Sequence, residues 1–225
     1  MTGAAAALVL SYLLGSFPSA IVIGRLFFGR DPRLEGSGNS GGTNAFRVFG
    51  WKAGVAVALL DIAKGAAAAG IVSRLADPSF LSVDGAVLLC GCAATVGHVW
   101  TVFAGFKGGK GVATAAGAVL VFAPHGFTVA LIAFALVLLS TGIVSLSSMA
   151  AAAGFSATVF LSALLGRPTS RWLLGFSVFA APFIFFTHRS NIGRLLRGEE
   201  KRFEKIALFR RLFRGKTEKG RSGDL

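Results

Sequence analysis

Apolar runs long enough to cross a lipid bilayer follow one another along almost the whole chain, near residues 4–24, 53–73, 85–103, 127–143, 147–165 and 172–187. A helix crossing the roughly 30 Å hydrocarbon layer needs about 20 such residues, so six runs qualify outright. A seventh, Val112–Ala123, is shorter and is cut off from the next run by Pro124-His125-Gly126, a sequence that ends helices. Composition agrees: 54% of the 225 residues are hydrophobic and 15% charged, against about 45–50% and about 25% for soluble domains. Disordered, collagen-like and disulfide-stapled classes are excluded. Cys90 and Cys92 lie inside an apolar run, as small hydrophobes do.

The first run begins without a basic residue and continues to Arg25, which favours a retained helix over a cleaved leader. Lysine and arginine set the orientation, because short cytoplasmic loops hold on to them. With seven spans and an external N-terminus, five basic residues fall on 25–52, two on 104–111, none on 144–146 and twelve from 188 onward. The opposite side carries only Arg74, Arg167 and Arg171. The expected architecture is an all-α integral membrane protein, a seven-transmembrane-helix bundle with some short or broken helices and a cytoplasmic C-terminus. Residues 1–203 form one membrane-embedded catalytic domain, and 204–225 a basic cytoplasmic tail suited to an anionic leaflet.

The formal net charge is +13. In a polar chain this excess would indicate nucleic acid; in an apolar one it indicates anionic lipid or phosphorylated substrates. Its placement supports the second reading. The first inner loop reads GSGNSGGTNAFR over 36–47. Gly36, Gly38 and Gly41 permit the φ > 0 turns that gather backbone N–H groups into an anion-binding nest. Ser37, Asn39, Thr43 and Asn44 add neutral donors, and Arg47 adds a forked cation matched to phosphate. A helix starting near Thr43 would aim its open N-terminus at the same anion.

The second loop, GHVWTVFAGFKGGKGVAT over 97–114, places Lys107 and Lys110 among Gly108, Gly109 and Gly111 directly before an apolar helix. It does not match the nucleotide-binding P-loop, and no histidine and acid spacing suggests a metal site or a cofactor. The third segment, HRSNIGRLLRGEE over 188–200, puts His188 and Asn191 three apart on one helix face, with Arg194 beside them. Ser145 brings a hydroxyl to the same side. Asp61 and Lys64 sit at i, i+3 within a span, where they read as a bracing ion pair or as the wall of a polar cavity. His98 stands at a membrane boundary, as a hydrogen-bonded helix end or a general base.

With the Tyr12-Leu13-Leu14-Gly15-Ser16-Phe17-Pro18 and Asp61-Ile62-Ala63-Lys64-Gly65 patches, these motifs make the chain resemble the bacterial acyl-phosphate:glycerol-3-phosphate acyltransferases of the PlsY family. The resemblance implies transfer of a fatty acyl group from acyl phosphate to the sn-1 hydroxyl of glycerol 3-phosphate, giving lysophosphatidic acid and inorganic phosphate at the cytoplasmic face of the cell membrane. It makes Ser37 and Arg47 essential and assigns acyl phosphate to Lys107, Gly108, Gly109 and Lys110. His188 and Asn191 serve activity, and Glu200 supports fold or site. The implied partners are the two substrates, membrane lipids and the enzyme that makes acyl phosphate; nucleic acid is not among them. Ser40, Gly42 and Thr101 stand where the family usually carries Pro, Ala and Pro, and Thr187 where it often carries Arg.

Two other classes fit the composition. An organic-phosphate transporter would show internal pseudo-symmetry and polar loops on both faces, neither of which is evident. A structural protein would act through its basic tail. Acyl phosphate is an activated mixed anhydride, so positioning and charge stabilisation suffice without a covalent intermediate. Lys107, Lys110 and Arg47 are the candidate cations for the leaving phosphate. His98, His188 or a substrate phosphate is the candidate base.

Overall fold

The computed structural model describes residues 2–204, 206 and 207. The 204–225 tail therefore lies almost wholly outside the described residues. The fold is all-helical: α1 (Thr2–Ser16), α2 (Ser19–Phe28), α3 (Gly42–Phe49), α4 (Trp51–Gly70), α5 (Val83–Val99), α6 (Val112–Phe122), α7 (Pro124–Thr141), α8 (Val144–Leu164), α9 (Arg171–Thr187) and α10 (Arg189–Leu196). Five segments are long and apolar enough to cross a membrane: Thr2–Phe28, Trp51–Leu75, Val83–Ala104, Pro124–Thr141 and Val144–Leu164. A sixth results if α9 and α10, bent by 62°, count as one. Helix α6 has 11 residues, about 17 Å at 1.5 Å per residue, roughly half the hydrocarbon depth.

Local chemistry accounts for the breaks. Pro18 has no N–H to continue α1, so the first run splits at Phe17-Pro18. At this break the Phe17 carbonyl accepts both the Ser19 N–H at 3.0 Å and the Lys64 ammonium at 2.9 Å. Pro124 ends α6 and also opens α7 at its first turn, where a missing N–H costs nothing. The expected loop 124–126 is thus the start of α7. Likewise the expected inner segment 144–146 is the first turn of α8, because Gly142, left-handed at φ 69°, closes α7 and leaves a connection of only two residues.

Glycine governs how closely the helices approach. A β-carbon on Gly65 would lie 1.9 Å from the Thr114 carbonyl oxygen, and one on Gly117 1.9 Å from that of Ile62, so α4 and α6 touch backbone to backbone. Gly15 against Ala94 and Gly97 against Tyr12 do the same for α1 and α5. Lipid supplies no hydrophobic drive between helices, and such contacts hold them through van der Waals packing. Many glycines therefore serve helix crossings as well as loops. Between α6, α7, α8 and α9 the lining is bulky instead, with Val119, Phe155 and Val159 buried and Phe127 and Phe176 against them.

Candidate active site

In the first-motif loop, Gly36 and Gly38 take φ of 66° and 72°, as expected, whereas Gly41 is extended at φ −106° because it caps the following helix. Asn44 ties this loop together. Its Oδ1 accepts the Ser37 backbone N–H at 2.7 Å and the Ser37 hydroxyl at 3.1 Å, and its Nδ2 donates to the Pro32 and Glu35 carbonyls at 2.7 and 3.1 Å. Asn44 is fully buried and uses its amide to shape the loop where it lines the cavity. Gly36 is required by this packing, since a β-carbon there would lie 2.3 Å from Asn44 Oδ1. Helix α3 starts at Gly42 behind the N-cap Gly41 and raises half-buried Arg47, whose guanidinium lies 5.0 Å over the Phe203 ring.

The second motif packs against the end of α5. The Gly108 N–H donates to the Val99 carbonyl and the Gly109 N–H to that of His98, both at 3.0 Å. These amides fold the loop back on the end of α5 and do not form an anion cradle. Gly111, left-handed at φ 82°, turns the chain into α6. Lys110 points inward and donates to Asn191 Oδ1, while the Thr187 hydroxyl donates to the Lys110 carbonyl at 3.1 Å. Burial pulls the Lys110 ammonium down to about 8; the charge of Glu200 opposes this, and Arg194 and Arg47 reinforce it. Lys107 is exposed and lines a separate recess of about 300 Å³ with Gly108, Gly109, Arg189 and Ser190, which shares Asn39 and Lys110 with the main cavity.

The third motif closes the arrangement. His188 sits at the bend between α9 and α10, buried. Its Nδ1 lies 2.8 Å from the Ile184 carbonyl, which only accepts, so Nδ1 carries the proton and Nε2 keeps its lone pair. Glu200 Oε1 accepts from Ser145 Oγ at 2.7 Å and Asn191 Nδ2 at 2.5 Å, and Oε2 accepts from Arg194 Nε at 2.7 Å. Burial alone would raise the Glu200 pKa; the bonds from Asn191, Ser145 and Arg194 outweigh it and hold the carboxyl below its usual range. Glu200 and Ser145 thus organise the site, with Asn191 as the link to Lys110.

One cavity of about 570 Å³ unites these groups. Ser37, Asn39, Gly41, Thr43, Asn44, Arg47, His98, Lys110, Gly111, Ser145, His188, Asn191 and Glu200 line it; Gly36, Gly38, Lys107, Gly108 and Gly109 do not. Asp61 also lines it, a residue read in the sequence as half of a bracing ion pair or as the wall of a polar cavity and not named as a site residue. The signal was a carboxylate within a span, which calls for a polar neighbour. Beyond the polar end, Val119, Phe127, Phe155, Phe176, Ala180 and Phe183 wall an apolar slot. Among the described residues no group of three or more His, Cys, Asp or Glu side chains is placed to hold a metal.

The family profile described as glycerol-3-phosphate acyltransferase matches residues 5–198. A glycerol-3-phosphate acyltransferase of Chlorobaculum parvum is 43% identical over 223 residues, covering 88% of this chain and 95% of that one. One of Enterococcus faecalis is 44% identical over 200 residues, covering 87% and 89%. The crystal structure of PlsY, an integral membrane glycerol 3-phosphate acyltransferase, in its glycerol 3-phosphate form superimposes with a TM-score of 0.78 at 36% identity, covering 90% of this chain and 96% of that one. Its lysophosphatidic acid form gives 0.77 at 34% identity, covering 91% and 97%. With the apolar helices, the shared fold and three motifs meeting in one cavity, the chain belongs to the PlsY family of integral membrane glycerol-3-phosphate acyltransferases.

Proposed function

We propose that the acyl donor is a fatty acyl phosphate and that the cavity faces the cytoplasm, in a bundle whose α6 completes seven crossings. The enzyme acylates glycerol 3-phosphate to lysophosphatidic acid, an early step of phospholipid synthesis. Membership of this family sets the transporter reading aside.

A single observation carries the donor assignment: a cationic polar head and an apolar slot share one cavity. An acyl phosphate has that same division, phosphate at one end and hydrocarbon at the other. Its carbonyl would then sit at the boundary, beside Lys110, Arg47, Asn191 and His188. The glycerol 3-phosphate hydroxyl attacks that carbonyl carbon, the new C–O bond forms, and the acyl–phosphate C–O bond breaks to release inorganic phosphate. Lys110 and Arg47 offset the charge growing on the phosphate, which needs no reorganisation because both are already held in place. His188 Nε2, unprotonated, takes the hydroxyl proton; Ser37, Asn39 and Thr43 orient the acceptor. Neighbouring Lys107 stands in the adjoining recess, where it raises the local concentration of anions.

The test supplies purified enzyme in detergent with glycerol 3-phosphate and either palmitoyl phosphate or palmitoyl-CoA. Stoichiometric release of inorganic phosphate and lysophosphatidic acid from the first alone is expected; turnover with the thioester would overturn the donor assignment.

A further inference from the structure

Asp61 is the most buried carboxylate of the described residues that line the cavity, and its partners come from three helices. Its Oδ1 accepts from Lys64 Nζ and from Ser19 Oγ, both at 2.9 Å. His98 Nδ1 stands 3.6 Å from the same oxygen. The ion pair is therefore more than a brace: it sets a carboxylate oxygen beside one nitrogen of the His98 ring.

The other side of His98 meets the second motif. Its carbonyl accepts the Gly109 N–H at 3.0 Å. A β-carbon on Gly109 would lie 2.1 Å from His98 Nε2, and one on Gly108 2.0 Å from the His98 carbonyl oxygen. Gly108 is thus demanded by backbone carbonyls that any residue at 98 and 99 would present, whereas Gly109 is demanded by the His98 ring. The next residue is Lys110, whose ammonium meets Asn191. A lysine side chain is a flexible stem, so where its charge arrives depends on where its backbone is anchored.

We infer that His98 is a positioning residue, set beside Asp61, whose ring seats Gly109 and thereby delivers Lys110 to the reacting phosphate. With one ring nitrogen turned to a carboxylate and the other against the loop backbone, His98 does not serve as the base. The inference rests on Lys110 acting on the leaving phosphate, a role that the basic limb of the wild-type pH profile and its loss in Lys110→Arg test separately.

The experiment is a double-mutant cycle on the full chain: wild type, His98→Ala, Gly109→Ala and the double variant, assayed for lysophosphatidic acid formation across pH. Gly109→Ala should lower kcat/KM about 100-fold, because the methyl cannot coexist with the ring. The double variant should recover about tenfold over Gly109→Ala, a coupling within the range seen for residues in contact. The pH profile of His98→Ala should keep both wild-type limbs. Losses that multiply, or a vanished limb in His98→Ala, would overturn the assignment. If His98→Ala does not purify folded, His98→Asn, which is smaller and keeps a donor toward Asp61, replaces it in the cycle and is read by the same coupling and the same pH profile.

Discussion

Asn191 donates through Nδ2 to Glu200 Oε1 at 2.5 Å while its own Oδ1 receives the Lys110 ammonium. The amide therefore transmits the placement of a buried carboxylate to a cation that lines the cavity. It also explains why a neutral side chain is needed there: a carboxylate at 191 would neutralise Lys110, and an apolar residue would leave Glu200 and Lys110 without a common partner.

Removing Glu200 should destabilise the protein as well as the site. Glu200→Ala strands Ser145, Asn191 and Arg194, and loss of one member of such a buried network costs about 2–4 kcal/mol. Glu200→Gln keeps acceptors for Ser145 and Asn191 and should cost less than half as much. Thermal unfolding in detergent measures the order; equal melting temperatures for the two variants would contradict it.

Lys110 titrates within the working range. In the free enzyme its ammonium, lowered to about 8 by burial first of all, is charged below that pH and lost above it. Hence kcat/KM, which reports the free enzyme, should fall as pH rises through about 8. Lys110→Arg, always charged, should abolish that basic limb while lowering the plateau. Stability runs the other way. The folded state holds this proton less tightly than the unfolded chain does, so the cost of burying the charge is full below about pH 8 and is relieved progressively from there up to the ordinary lysine value. Activity and chemical denaturation followed over the same pH series separate the two effects.

The apolar slot should measure acyl length. Ala180→Phe intrudes between Phe176 and Phe183, and each methylene denied burial costs about 0.8 kcal/mol. Exclusion of two or three methylenes predicts a loss of roughly 30-fold in kcat/KM for long-chain acyl phosphates, with short-chain donors nearly unaffected. A uniform loss across chain lengths would place the acyl chain elsewhere.

Gly65→Ala should prevent folding, because its β-carbon has no room beside the Thr114 carbonyl and helix α4 would be forced off α6. Gly175→Ala on α9 meets nothing within 4 Å and should be neutral or slightly stabilising. Monodispersity on size-exclusion chromatography after extraction distinguishes the pair.

Much of the active site was legible along the chain because its residues are grouped in short motifs. Arg47 and Lys110 were found from charge and glycine clustering, His188 and Asn191 from their three-residue spacing on one helix face, and all line one cavity. The departures from the usual family pattern also resolve into contacts: Thr101 donates to the Ser16 carbonyl at 2.5 Å, and Thr187 to that of Lys110. What misled was the assumption that glycine near lysine means free N–H groups. Gly108 and Gly109 have given theirs to Val99 and His98, and Asn44 has given its amide to its own loop.

Hydropathy and charge along the chain determined that the helices are membrane-long, which loops carry cations and where proline interrupts a run, since each depends on residues within about one helix length. Only the tertiary structure decided that Asp61, His98 and Gly109 touch, or that Asn191 stands between Lys110 and Glu200. Those meetings depend on helix crossings set by glycine contacts between distant segments, and backbone approach of that kind leaves no periodic trace in the local pattern of residues.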